Sequence, residues 1–418
     1  MYALHINSKL KISARTLVAL SPLISLISWS TYRNRWGHLF SDWHEIRYTD
    51  LRPITSNLSC FLADPAWTIN GPSCDPWQRP LNYPSIWLTI FRYLGLDDQN
   101  VLLAGILVSI MVVFGFAVLL SVLNQSFSFL LLGGALSVSP PVFFVIERGN
   151  VDGIIFFILV IASVLLASNS AAQRLNGSAL IALGGVLKVF PIGSLLAILF
   201  WRFTSKKTLI FRFGFTGLIS ALVALPLLPQ AERMFSGTPS FPAMQFGIRT
   251  LPIEIFECLP TNKTFGYCSW NSNKEFIIGL IMICICCSIL LLVKRFSIQS
   301  RLVIDEYLSG ISGSIIHLQI FVVFAGAFSF TYFLGTNWYY RLIFLIPIAL
   351  VSNTSKTQLG NIISISILVA SFSFAGNVLY LHLLGQITVT ALVAIFVVLL
   401  GLLVSNKVKT LIDDTSAV

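Results

Sequence analysis

Gly184-Gly185-Val186-Leu187-Lys188-Val189-Phe190-Pro191 interrupts an apolar stretch, and its reading decides how the whole chain is threaded. As part of one continuous span over 178–200 it would place a lysine in the middle of hydrocarbon, at about 2.5–3.5 kcal/mol on insertion scales. It would also place Pro191 inside a helix, although the first turn of a new helix is where proline is tolerated. The continuous reading further sends Arg202, Lys206 and Lys207 outside and a loop bearing two cysteines inside. A reversal at Lys188 removes these conflicts together. The segment then becomes two short helices, about 174–188 and 189–204, meeting at an outer turn. At about 1.5 Å per residue each is just over 20 Å long, short for a hydrocarbon core of about 30 Å, so neighbouring helices or local thinning must shelter them.

The composition leads to the same class. The 418 residues are 56% hydrophobic and only 11% charged, with a mean hydropathy of +0.84. A soluble domain carries roughly 25% charged residues, so water is not the main solvent. In lipid every backbone amide must be satisfied internally, by helices or by a closed barrel. Apolar runs of about 15–23 residues without period-2 alternation select helices. The net charge of +10 is spread in small clusters between these runs, which fits a positive-inside distribution and not a nucleic-acid-binding face. Lys9, Lys11 and Arg15 precede the first run, which lacks a small-residue cleavage site and reads as an uncleaved helix.

The predicted fold is all-α, a polytopic membrane protein of about twelve transmembrane helices. The spans are expected near 14–32, 100–122, 127–146, 152–169, 174–188, 189–204, 208–229, 276–293, 308–333, 340–352, 358–380 and 386–404. Both termini, with Arg174, Lys294, Arg295, Arg301, Lys356, Lys407 and Lys409, then fall in the cytoplasm, and loops 33–99 and 230–275 lie outside an inner or plasma membrane. Residues 1–229 are expected to group as one transmembrane module that includes loop 33–99, followed by 230–275 as a second outer loop and 276–418 as the C-terminal helices. Cys60 and Cys74 share the first loop, and Cys258 and Cys268 the second, which suggests two local disulfides in an oxidising compartment. Cys284, Cys286 and Cys287 lie in an apolar run and read as inert core residues.

Under this threading four polar clusters reach the outer face, where ionisable groups near lipid are costly and usually functional. Tyr48-Thr49-Asp50-Leu51-Arg52 offers Asp50 as a carboxylate close to a span, suited to take a proton from a hydroxyl; a solvated loop aspartate is the plainer alternative. Arg79, Asn82 and Tyr83 lead into an amphipathic segment over Ser85–Leu96, expected to lie along the membrane surface. Glu147-Arg148-Gly149-Asn150-Val151-Asp152 puts two acids, an arginine and an amide into one turn, just after Pro140-Pro141 should kink span three. Lys188 and, later, Arg341 supply cations suited to a lipid-linked phosphate. Trp338 and Tyr339 read as interface anchors, and His317 as a satisfied core residue. Metal-ligand spacings, P-loops and dinucleotide-binding glycine runs are absent from the sequence.

The order Tyr48-Thr49-Asp50, Arg148-Gly149-Asn150 and Lys188-Val189-Phe190-Pro191 resembles the GT-C class of membrane glycosyltransferases. The GPI mannosyltransferase catalytic subunit and the bacterial family 87 enzymes are the similar members, and Asn82-Tyr83-Pro84 also resembles the latter. The resemblance covers about positions 48–191. It implies a GT-C-like fold and an enzyme that moves a hexose, with a lean towards mannose, from a polyprenyl-phosphate donor to an extracytoplasmic lipid or glycan acceptor. Asp50 would be the catalytic base, and Arg52, Arg79, Asn82, Tyr83, Glu147, Arg148, Asn150, Asp152, Lys188 and Arg341 would bind substrate. The eukaryotic relatives carry a second acid two residues after the aspartate, whereas here that residue is Arg52, so no metal and no cofactor is expected. A transporter or flippase of lipid-linked saccharide, and an oligosaccharide ligase or polymerase, are the competing classes.

Overall fold

A computed structural model describes residues 16–21, 48–64, 74–75, 81–123, 126–201, 206–231, 234, 245–258, 272–334, 337–374 and 379–416. These residues are almost entirely helical. Near the start come α1 (Arg52–Ala63), α2 (Ile86–Leu94), α3 (Val101–Val122), α4 (Phe127–Ser137) and α5 (Pro140–Glu147). They are followed by α6 (Asp152–Leu166), α7 (Ala171–Leu187), a 3-10 segment over Phe190–Phe200 and α8 (Lys206–Ala224). The remainder holds α9 (Thr250–Ile253), α10 (Ser272–Phe296), α11 (Ile298–Ser312), α12 (Ile315–Phe333), a 3-10 segment over Tyr339–Leu345, α13 (Ile346–Thr354), α14 (Gln358–Ser373) and α15 (Leu379–Ser416). Two short antiparallel strands, β1 (Gln245–Phe246) and β2 (Asn337–Trp338), pair Gln245 with Trp338 and Phe246 with Asn337.

Among the described residues four helices are long and apolar enough to cross a membrane: Asp98–Val122, Lys274–Phe296, Ile315–Phe333 and Tyr380–Asn406. The pair α4 and α5, bent by 45°, makes a fifth when counted as one span. Their surfaces show which solvent they meet. On α3, Val108, Val112, Phe116 and Leu119 are buried, while Leu102, Ile106, Ile110 and Phe114 on the opposite side are exposed. On α10, Ile277, Ile281, Ile285, Ile289 and Leu292 all point out of the protein. A helix apolar on every side belongs in hydrocarbon, and stripes of this size would not survive in water. These surfaces mark a membrane protein with several helices able to span a bilayer.

The core is built on α12, where Phe321, Phe324 and Phe328 are fully buried. Phe156 of α6 packs on Phe324 and on Phe344, with ring centroids 5.9 and 6.5 Å apart. The 3-10 segment 190–200 lies directly on α12: Gly193 meets the backbone of Gly326, and Ser194 Oγ donates to the Val323 carbonyl at 2.8 Å. The sequence predicted an ordinary helix over 189–204 here. A 3-10 helix rises about 2.0 Å per residue instead of 1.5 Å, so the tighter winding lengthens a segment that is short for its task.

Other boundaries also differ from expectation. The predicted span 308–333 is two helices separated at Gly313-Ser314. Lys294 pairs with Asp305 at 3.4 Å, Tyr307 hydrogen-bonds Ser352 at 2.8 Å, and Gly310 lies against Ser355 and Thr357. Every one of these partners sits near the end of α10, α13 or α14 that is remote from the acid–base cluster described below, so α11 lies across that end of the bundle. The last helix is far longer than 386–404, and α14 ends at Ser373. Cys284 is exposed on the outside of α10 and Cys286 and Cys287 are half-buried, so the first of these is a surface residue and not a core one. Cys60 and Cys74 form a disulfide. The predicted Cys258–Cys268 pairing, Arg79 and all but a fragment of the first span lie outside the described residues.

The contact between Gly193 and Gly326 is backbone on backbone, so nothing flexible can yield to a side chain there. Gly193→Val should destabilise the protein by about 1–3 kcal/mol through overpacking. Melting in mild detergent checks this, with Gly214→Ala as control: a methyl group at 214 meets open space and should not lower the midpoint.

Candidate functional site

Pro140-Pro141 starts α5 after the 45° bend, and α5 then ends in a Schellman turn. The Gly149 amide donates to the Ile146 carbonyl at 3.1 Å and the Asn150 amide to the Val145 carbonyl at 2.9 Å. Gly149 takes the left-handed conformation, φ 62°, that this motif requires. A Cβ at 149 would also fall within 3 Å of Leu51 and the Tyr48 ring. The glycine between Arg148 and Asn150 therefore turns the chain and lets a second turn, residues 48–51, dock on it.

That docking is made through the backbone. The Tyr48 amide donates to the Glu147 carbonyl and the Asp50 amide to the Arg148 carbonyl, each at 3.1 Å. Tyr48 is itself left-handed, φ 59°, a conformation that costs a tyrosine roughly 1 kcal/mol or more and persists only where its surroundings enforce it. Its ring lodges against Gly105 and Gly149. Asp50 is thereby delivered to the cluster, with 12% of its side chain exposed. Arg148 reaches Oδ1 through Nε and Nη2, both at 2.9 Å, and Asn150 Nδ2 donates to Oδ2 at 2.6 Å. Asn150 also accepts from the Asp152 amide at 2.9 Å, which ties the start of α6 to the same turn.

Asp152 is the centre of the second half. Its side chain is entirely buried, with Lys188 Nζ 2.5 Å from Oδ1 and Arg341 Nε 3.0 Å from Oδ2. Lys188 sits in extended backbone where α7 ends, two residues before the 3-10 segment begins at Phe190. The carbonyl of Leu187, orphaned by that ending, accepts from the Trp87 indole at 2.9 Å, so α2 caps the turn that carries the lysine. Trp87 and Phe91 of α2 are buried while Tyr93 and Leu94 are exposed, as an amphipathic segment requires. Arg341 is also bonded to Asn337.

Aromatic rings wall the cations. Tyr83 lies 5.1 Å from Lys188, Trp338 5.1 Å from Arg148 and Phe190 5.4 Å from Arg341. Burial lowers the Lys188 ammonium to about 8, against the opposing field of Asp152. Burial also works against the Arg148 guanidinium, but Asp50 more than compensates and holds it above its ordinary value. The Tyr83 phenol is pushed well up by burial, with Asp50 adding in the same direction, so its hydroxyl stays protonated. Asn82 Oδ1 is buried with no hydrogen-bond partner among the described residues.

Of the residues singled out in the sequence, Asp50, Arg148, Asn150, Asp152, Lys188, Arg341 and Tyr83 come together, with Asn82 beside Tyr83. Glu147 is buried at the same turn, in the field of Arg148 and Tyr339. Arg52 points elsewhere: it pairs with Asp98 at 3.4 Å, an acid that also accepts from Thr55 and Ser56. Sequence reasoning passed over Asp98, Asn337 and Tyr340, and took Trp338 and Tyr339 for interface anchors. Tyr339 is instead buried, edge-on to Phe144 at 4.7 Å, and Trp338 covers Arg148. The run of three aromatics between Asn337 and Arg341 was the available signal. No family model, no curated protein and no solved structure matches this chain.

Because Asp152 compensates two buried cations at once, its removal leaves both uncompensated. Asp152→Ala should cost about 3–5 kcal/mol. Lys188→Gln and Arg341→Gln should each cost less, since the carboxylate keeps its other partner. Ranking the three midpoints by thermal unfolding in detergent checks the order.

Proposed function

We propose that this chain is an integral-membrane glycosyltransferase of GT-C type, moving a hexose from a polyprenyl-phosphate donor to an extracytoplasmic lipid or glycan acceptor. One observation carries the reading. A single carboxylate, Asp50, held in one orientation by Arg148 and Asn150, stands in the same cluster as the Lys188–Asp152–Arg341 ion triad. Asp50, Arg148, Asn150 and Lys188 belong to the three motifs, and Asp152 and Arg341 join them in the cluster.

In this reading the Asp50 carboxylate takes the proton of the acceptor hydroxyl as its oxygen attacks the anomeric carbon. The bond from that carbon to the phosphate oxygen breaks, configuration inverts, and polyprenyl phosphate leaves with the electron pair. Lys188, Arg341 and Arg148 stabilise the charge that grows on the departing phosphate, where low water content makes such contacts strong. Asn82 and Tyr83 present an acceptor and a donor to sugar hydroxyls. Mannose is the leading sugar.

About twelve passes of the membrane, with the cluster on the extracytoplasmic side, belong to the same proposal. Its support is the chain break at Lys188, the gathering of the motif residues at one end of the bundle, and the Cys60–Cys74 disulfide close to them. Residues 1–229 would then be the catalytic module and 276–418 the variable one. A transporter would place its ionisable groups near the midplane on broken, symmetry-related helices. Here they gather where α5, α6, α7 and α12 meet their turns, which favours transfer over transport.

Asp50→Asn should cut sugar transfer at least ~100-fold, measured well below a melting midpoint that itself falls because Arg148 loses its counter-charge. The assay uses purified protein, labelled polyprenyl-phosphate mannose or glucose, and membrane lipid as acceptor. Normal turnover by the variant removes Asp50 from the mechanism. Movement of the intact labelled lipid across proteoliposomes without release of polyprenyl phosphate would select the transporter.

A further inference from the structure

At the opposite end of the bundle from Asp50 and Asp152 lies a cavity of about 1060 Å³, at the upper end of the range for small-molecule sites. α11 lies across this end, and the end of α10, Leu403 and Asn406 of α15, the start of α12 and Phe200 complete the walls. Its chemistry is divided. Lys294 and Arg301 supply cations, and the hydroxyl-bearing residues Ser309, Ser312 and Ser314 line the same space. Asp305 and Asn406 add further polar groups, and Leu308, Ile315, Leu318, Leu403 and Phe200 form an apolar wall.

We propose that this cavity holds the headgroup and first acyl carbons of one anionic phospholipid. Two cations face one carboxylate, Asp305, which takes up Lys294 at 3.4 Å. Arg301 spends one donor on the Arg295 carbonyl at 3.1 Å, and the remaining guanidinium donors suit a phosphodiester in bidentate contact. The apolar wall is what separates a lipid from a soluble anion, which would leave it unfilled. The approach is also prepared for a lipid. Phe296, Ile298 and Leu302, at the α10–α11 junction and along α11, are exposed by 78, 76 and 64%. On a helix that lies across the end of the bundle, such residues enter the acyl boundary and set the cations at headgroup depth. The binding is independent of the proposed sugar transfer.

Native mass spectrometry of the full-length protein in mild detergent tests this with dioleoyl phosphatidylglycerol as probe. Wild type should retain one more lipid than the Lys294→Gln/Arg301→Gln variant, whose affinity should fall about 30-fold, at about a factor of five per cation. Asp305→Asn, which frees Lys294, should bind more tightly than wild type. Arg92→Gln, an exposed cation far from the cavity, should bind as wild type does. Three results would each overturn the proposal: undiminished retention by the double variant, equal retention of dioleoyl phosphatidylcholine, or displacement of the lipid by millimolar glycerol phosphate. Arg301 and Asp305 are exposed and Lys294 is partly buried at the end of α10, so a folded variant is expected, and an unchanged melting midpoint verifies it.

Discussion

A carboxylate with no exposed surface cannot stay charged in a membrane protein without cations brought to it, and Asp152 has two. The desolvation of each ion costs several kcal/mol, so the triad exists only if all three groups arrive together. They arrive from well-separated places: the first residue of α6, the break after α7, and the 3-10 segment beyond α12. The ion triad therefore dictates where three loops must meet. It requires α7 to end at Leu187 instead of continuing, and it requires the aromatic stretch 337–341 to turn inward. Phe190, Tyr339 and Phe344 follow into the core as a consequence.

Asp50 depends on a second device, fitted to the first. The Schellman turn at Arg148-Gly149-Asn150 reverses α5 and exposes two backbone carbonyls, which the Tyr48–Asp50 turn reads as if it were a strand. Strain is stored in the left-handed Tyr48 and balanced by its ring packing on two glycines. Asn150 links the devices, since one side of its amide holds Asp50 and the other holds the first amide of α6. Asp50 and Asp152 are thus fixed relative to each other by a single buried residue.

Much of this was legible because lipid punishes misplaced charge. One lysine and one proline were enough to locate the chain break at 188, and Pro140-Pro141 marked the bend between α4 and α5. The three motifs found their neighbours because each is a turn with its own local chemistry. What escaped was whatever depends on packing between distant segments. Nothing in Phe190–Phe200 announces a 3-10 helix; its winding answers the glycine contact with α12 and the distance to be covered. The run from Leu308 to Phe333 is apolar enough to hide a break at Ser312-Gly313-Ser314, although those three residues are the signal. Arg52 and Arg341 look equivalent in sequence. Only Arg341 reaches the cluster, because Asp98, 46 residues further along the chain, pairs with Arg52 at 3.4 Å.

The pairing of Lys188 and Arg341 with Asp152 bears on how such cations could work on a phosphate. A cation already committed to a carboxylate gains little from a ground-state ligand, since it exchanges one anion for another. Its advantage grows as negative charge accumulates on a leaving oxygen, when the new contact becomes stronger than the old one. Asp152 would then act as an internal placeholder, keeping two cations positioned and desolvated before any substrate arrives. It would also hold down affinity for the free product, because released polyprenyl phosphate must compete with a carboxylate already 2.5 Å from Lys188. In the proposed transfer, tight ground-state pairing and transition-state selectivity would be two consequences of the same buried aspartate.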